Sequence, residues 1–167
     1  MVRINVAKIK DVRAGTIEFA FELTAAELAL AEDELQTGQP ISVTGQVSNA
    51  GDVLLLQAEI VFTAKRVCGR CLKEFTQQLS SELTEKFFPA GTQNIENDAF
   101  TYDSDLLDIT EAVRESVLLA IPLQALCKET CLGLCPVCGK DRNAGACGCD
   151  TDVIDPRLAA LQQFIKH

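Results

Sequence analysis

The stretch "PISVTGQVSNAGDVLLLQAEIVFTAKRVCGRC", Pro40–Cys71, joins a fold signal to a chemical one. Two runs rich in Val, Ile, Leu and Thr flank "SNAGD", whose Asn, Gly and Asp suit a turn. β-rich runs on both sides of such a turn predict a hairpin, and so antiparallel pairing. The second run leads directly into Cys68 and Cys71. A C-x-x-C at a tight turn places two thiolates on one metal at about 2.3 Å each.

On the N-terminal side, "MVRINVAKI" and "TIEFAFEL" alternate apolar residues and read as strands. "TAAELALAEDELQTG" between them and the hairpin predicts a short helix. Thr24 is its N-cap, Glu27 completes a capping box, and Gly38 lies just past the end. On the C-terminal side, Phe75, Leu79, Leu83 and Phe87 recur every four residues. That spacing fits one face of a strand or a helical stripe, and the Ser, Thr and Phe content favours a strand. "PAGTQNIENDAFTYDSD" is polar and acidic and reads as a surface loop. "DITEAVRESVLLAIP" predicts a helix capped by Asp108 and Glu111 and stopped by Pro122. Val113, Val117, Leu118 and Ile121 form its apolar face. "DPRLAALQQFI", with Asp155 as N-cap and Pro156 in the first turn, predicts a last helix.

The expected fold is α+β: a β-rich antiparallel body with two or three helices and a C-terminal Cys-rich zinc-knuckle segment. Residues 1–126 form the body with its capping helices. Residues 127–167 form the metal-binding segment and C-terminal helix, packed on the body as one unit. No internal repeat is present.

Six more cysteines lie in "CKETCLGLCPVCGKDRNAGACGC", Cys127–Cys149. Within it, Cys135, Cys138, Cys147 and Cys149 are spaced C-x2-C-x8-C-x-C. Pro136 stiffens the first turn and Gly139 admits a positive φ, so these four make one complete site. Cys127 and Cys131 remain, and with Cys68 and Cys71 they make a second four. An alternative gives Cys131 to the other site, or interleaves two adjacent ions. Eight cysteines as two fours predict two structural zinc ions.

Three competing readings of the cysteines carry their own signatures. A redox C-x-x-C opens a helix after a strand, whereas a strand is expected after "CGRC". A thiol oxidoreductase using Cys68 and Cys71 is nevertheless the alternative function. An iron–sulfur cluster also takes four thiolates, but the spacing does not match the common ferredoxin runs. Two buried free cysteines are the plainest reading of "CGRC". The single His is His167, which leaves Ser–His, Cys–His and His-ligated metal chemistry without a residue to run them. There is no P-loop and no G-x-G-x-x-G, and no small-molecule substrate is expected.

The chain has 167 residues and a formal charge of −9, with hydrophobic residues at 47%. No apolar run approaches the ~20 residues a membrane helix needs. The N-terminus has no continuous apolar stretch of a secretory signal, so the expected location is the cytoplasm, where thiols stay reduced. Two zinc ions on eight thiolates would move the charge from −9 to −13, counting −8 and +4. Nucleic-acid contact must then be local, since phosphate binding needs clustered cations. The local candidates are Arg66, Arg70 and Lys73 beside Lys65, with Lys8, Lys10 and Arg13 as a possible extension. Their simpler role is to balance the −2 charge of a four-thiolate zinc site.

"VCGRCL", "DITEAVRESVLLAIP", "CKETCLGLCPVCG", "CGC" and "DPRLAALQQF" follow one another in an order that resembles the YceD family, the large ribosomal RNA subunit accumulation proteins. The resemblance runs from about residue 40 to the end. It implies a bacterial or organellar protein without catalytic activity, acting in processing or early assembly of the large subunit. The implied partner is a ribosomal protein or the large-subunit ribosomal RNA precursor.

Overall fold

The computed structural model describes residues 1–93 and 99–150. It divides into two compact units. Unit 1 is Met1–Arg66 with Phe75–Leu123. Unit 2 is Val67–Glu74 with the chain from Gln124 onward.

Unit 1 is built on the hairpin. Strands β3, Ile41–Asn49, and β4, Leu54–Val67, pair antiparallel from Ser42↔Val61 to Asn49↔Leu54. The turn is closed by Ala50 N–H to the Val53 carbonyl at 2.9 Å. Asn49 is buried, and its amide is fully used. Nδ2 donates to the carbonyls of Ile9 (2.8 Å) and Lys10 (2.7 Å), and Oδ1 accepts from Gly51 N (2.7 Å). One side chain thus fastens the residue 9–10 loop to the hairpin turn, which meets the rule that buried amides are paired.

Strand β2, Thr16–Leu23, pairs antiparallel with β3 from Thr16↔Ser48 to Leu23↔Ile41. Glycine is required at Gly45. A Cβ there would sit 2.2 Å from the Gln57 carbonyl oxygen and 2.7 Å from Ala58 Cα, and backbone atoms cannot yield. Strand β5, Glu74–Pro89, completes the other side of β4. Phe75, Leu79, Leu83 and Phe87 share its less exposed face, so the four-residue repeat is every second position of a two-residue period.

Two stretches beside the hairpin fold differently from expectation. The "PAGTQNIENDAFTYDSD" loop contains a strand, β6, Phe100–Tyr102, which pairs parallel to β5 in the register Phe87↔Phe100. The rings of Phe87 and Phe100 stack with centroids 5.2 Å apart, and this contact outweighs the polar composition around it. The helix expected over 24–38 is only a 3-10 turn, Ala25–Leu28. Its capping box is present, with Glu27 N donating to Thr24 Oγ1 and the Glu27 carboxylate accepting from Thr24 N. The turn stops because Leu28, Leu30 and Leu35 are all buried. On a helix Leu30 would point away from Leu28, so Ala29 takes φ +52° and redirects the chain.

A second, two-stranded sheet pairs β1, Arg3–Asn5, with β7, Leu106–Asp108, antiparallel. Helix α1, Thr110–Ala120, follows β7 directly. Among the described residues it is the only α-helix, against two or three expected. The expected helix at 155–165 lies outside the described residues. Capping of α1 differs by one residue from expectation. Ile109 is the N-cap and gives no side-chain bond, while Asp108, one residue earlier, accepts from Thr110 N (3.0 Å) and Oγ1 (2.6 Å). Glu111 does not close a box; it pairs with Arg114. Ile121 is extended because Pro122 follows it.

The helix buries Ala112, Val113, Ser116 and Val117, and Ser116 Oγ meets Ser81 Oγ of β5 at 2.9 Å. Arg114 reaches Glu34 at 2.8 Å. The core joins Phe62 and Ile60 of β4, Val43 and Val47 of β3, Phe87 of β5, and Val113 and Val117 of α1. Every member of that cluster belongs to unit 1. No described helix is long and apolar enough to cross a membrane.

Candidate metal centres

Unit 2 begins where β4 ends. Cys68 to Lys73 form a knuckle: Leu72 N donates to the Cys68 carbonyl at 2.9 Å and Cys68 N to the Lys73 carbonyl at 2.9 Å. Cys135 to Lys140 repeat it bond for bond. Gly139 N donates to the Cys135 carbonyl at 2.9 Å and Cys135 N to the Lys140 carbonyl at 2.8 Å. In both, the residue after the second cysteine has a positive φ, +59° at Leu72 and +72° at Gly139. Glycine takes that conformation freely, whereas leucine there is strained and persists only because its surroundings hold it. The shared geometry was hidden because the leucine breaks the sequence likeness.

The knuckles aim sulfurs inward, and the chain from Cys127 supplies the rest. Two groups result: Cys68, Cys71, Cys127 and Cys131 (site 1), and Cys135, Cys138, Cys147 and Cys149 (site 2). In each group the sulfurs all lie within 4.8 Å of one another. The Sγ atoms of Cys68 and Cys131 are 3.8 Å apart, and those of Cys71 and Cys127 are 3.7 Å apart. A disulfide needs about 2.05 Å, and all eight cysteines are free. A tetrahedral ion with bonds of about 2.3 Å spaces its sulfurs about 3.8 Å apart. The residues therefore fit a four-coordinate metal ion in both places. Cys131 falls in site 1, and the two sites share no ligand.

The electrostatics are those of a site prepared for a cation. Backbone N–H groups of Cys127, Cys71 and Arg70 pull the Cys68 thiol down to about 6 against burial. Those of Cys138 and Val137 do the same for Cys135, also to about 6. Burial and then the crowding of Cys71, Cys68 and Cys131 push Cys127 up to about 12. Hydrogen bonding with Cys138 and Cys147, then burial, pushes Cys149 up to about 12. Against the lowering pull of the Lys73 N–H, burial and the Cys68 sulfur leave Cys71 raised. Against burial, the Asn143 amide and the Gly133 N–H leave Cys131 lowered as well. The lowered thiols give up their protons cheaply, and the ion's charge must draw off the others.

A pH dependence follows. In metal-free site 1 both Cys71 and Cys127 hold protons at pH 7, so an ion displaces at least two. Apparent affinity then falls by about 100-fold or more per unit of acidification near pH 7. Below about 6, where Cys68 is also protonated, the fall steepens to about 1,000-fold or more. Competition against a chelator of known affinity at stepped pH checks the slope. A flat profile overturns four-thiolate coordination.

The three candidate cations all have local partners. Arg66, in unit 1, donates from Nη2 to the Pro122 carbonyl at 2.8 Å. Arg70, in unit 2, donates from Nη1 to the carbonyls of Cys131 (2.9 Å) and Glu129 (3.3 Å). Lys73 pairs with Asp141 at 2.6 Å. Asp141 was not anticipated. Neither was Asn143, whose Nδ2 lies 3.5 Å from Cys131 Sγ. The short "DRN" turn signature at 141–143 was the available signal: Asp141 Oδ1 accepts from Asn143 N at 2.9 Å.

The family described as Large ribosomal RNA subunit accumulation protein YceD matches residues 56–165, about two thirds of the chain. The chain belongs to the YceD family. All eight cysteines fall inside the matched span. YlbN of Bacillus subtilis (strain 168), an uncharacterized protein, is 29% identical over 158 residues, covering 91% of this chain and 90% of its own. Rv2926c of Mycobacterium tuberculosis (strain ATCC 25618 / H37Rv), also uncharacterized, is 26% identical over 144 residues, covering 84% and 69% respectively. No solved structure matches the chain.

Proposed function

We propose that this YceD-family chain is a non-enzymatic factor that supports accumulation of the large-subunit ribosomal RNA, in its processing or assembly, with two zinc ions as structural staples. The family match across residues 56–165 carries this reading. Two features support the structural role of the metal. Each group supplies four sulfurs, which fill a tetrahedron and leave no open position for substrate. All-thiolate tetrahedral sites are also those that favour zinc. The work is placed in the cytoplasm of a bacterium, or in an organelle of bacterial origin.

The first contact is proposed to be a basic ribosomal protein. Unit 1 carries 8 Lys and Arg against 18 Asp and Glu, a formal −10, while the rest of the chain stands at +1, with 7 against 6. That field attracts cationic partners and repels phosphate. A contact with the RNA precursor would instead use Arg66, Arg70 and Lys73. Affinity capture of the tagged chain at moderate salt, followed by nuclease, separates the two. Retention of a large-subunit ribosomal protein is expected; loss of every partner on nuclease treatment sinks the protein-first version. Cells lacking the chain are expected to hold less mature large-subunit RNA relative to the small-subunit RNA. An unchanged ratio rejects the function itself.

A further inference from the structure

Residues 139–146 form the span between the two halves of site 2, from Cys138 to Cys147. They also reach site 1. Arg142 N donates to the Gly133 carbonyl at 2.9 Å, and Leu134 and Asp141 form an antiparallel bridge. At the centre is Asn143. Its Nδ2 faces Cys131 Sγ at 3.5 Å, and its Oδ1 accepts from Leu132 N at 3.0 Å. Asp141 holds that amide in place, with Oδ1 accepting from Asn143 Nδ2 at 2.8 Å. Asp141 is held in turn by Lys73, two residues beyond Cys71, at 2.6 Å. The span that site 2 closes therefore delivers a hydrogen-bond donor to a sulfur of site 1.

We propose that Asn143 is a positioning residue for site 1, and that through it the two metal sites are coupled. The inference rests on the metal reading above. An amide N–H on a metal-bound thiolate spreads part of the sulfur's charge and fixes the orientation of its lone pairs. Outer partners of this kind change metal affinity by about 10- to 100-fold when removed. The donor's placement depends on the span being closed. An ion in site 2 should therefore tighten the binding of the ion in site 1, which the test reads as slower release. The reverse follows by linkage, since coupling between two binding equilibria is reciprocal. The burial pattern sets the order of loss: three of the four cysteines of site 1 are buried, whereas Cys138 of site 2 is exposed.

The test uses the full chain loaded with Cd²⁺, whose ¹¹³Cd spectrum gives a separate resonance for each four-thiolate site. Uptake of fewer than two Cd²⁺ per chain would reject the metal reading before any coupling is measured. With two ions bound, Asn143→Ala is expected to speed Cd²⁺ release from site 1 to a competing chelator by about 10-fold or more, and to shift the site 1 resonance while leaving that of site 2 in place. Asn143→Asp keeps an acceptor for Leu132 N but loses the donor, and is expected to shift the same resonance. Cys147→Ser, which opens site 2, should speed site 1 release by a similar factor. It should add little on top of Asn143→Ala. Lys73→Met, which loosens Asp141 from outside the span, should act in the same direction but more weakly. The proposal is overturned if Asn143→Ala leaves site 1 release and its resonance unchanged, or if the Asn143→Ala and Cys147→Ser effects simply multiply.

Discussion

Cys68→Ser is expected to leave the chain with at most one tightly held metal ion and to unfold unit 2 around site 1, while the core of unit 1 stays protected. The reason is what unit 2 is made of. Among its described residues the buried ones are Cys68, Cys71, Ala125, Cys131, Gly133 and Cys135. Four of those six are metal-ligand candidates, and the other two have almost no side chain. Among the described residues no apolar cluster replaces the ions, because Leu72, Leu132 and Val137 are all exposed. Burial of so little apolar surface cannot offset the roughly 1–2 kcal/mol per residue needed to order a backbone. A structural zinc ion contributes about 10–16 kcal/mol of apparent binding energy to the folded state, and that energy is lost with the site. Cys68 is fully buried and takes three backbone N–H groups, so serine also leaves those donors facing a smaller and less polarisable atom. Elemental analysis gives the metal count, and amide exchange gives the protection by region. Two ions retained, with exchange unchanged over 67–74 and 124–150, would show that the sulfurs are not what holds unit 2 together.

The hairpin and the strands beside it were legible because a two-residue period survives in sequence whatever the tertiary setting. The alternation in "TIEFAFEL" and the "SNAGD" turn are local facts, and the register follows from them. The division of eight cysteines into two fours was legible for a similar reason: a C-x-x-C turn builds its geometry from its own backbone. Where the reading failed, the deciding contact was distant. The 3-10 turn at Ala25–Leu28 stops because Leu28, Leu30 and Leu35 must all reach one core, which no window of propensity reports. Strand β6 exists because Phe100 finds Phe87. Asp141 and Asn143 read as turn residues, and they are. Their second use, on Lys73 and on Cys131, depends on a span folding back across the chain. The charges of "KRVCGRCLK" were visible too, but not that Arg70 would spend its guanidinium on the carbonyls of Glu129 and Cys131.

Phe62→Ala is expected to lower the stability of unit 1 by about 3–5 kcal/mol while leaving two metal ions bound. Phe62 is among the largest fully buried side chains, and it lies on β4, the middle strand of the five. Truncation there removes the transfer energy of a phenyl ring and leaves a cavity between stiff strands that cannot collapse to fill it. The midpoint of urea unfolding should fall with its slope unchanged, because the same surface is exposed on unfolding. Metal should be retained even at urea concentrations that unfold unit 1 of the variant. All eight sulfurs lie in Val67–Glu74 or beyond Gln124. Unfolding unit 1 turns residues 75–123 into a flexible loop between the two halves of site 1. Closing a loop of that length costs about 3–4 kcal/mol by the logarithmic law, well below what a structural zinc ion contributes. Metal release measured with a chromogenic chelator along the urea titration decides the matter. Release that tracks the loss of unit 1 structure in both wild type and variant would mean that site 1 takes its stability from the sheet rather than from its own four sulfurs.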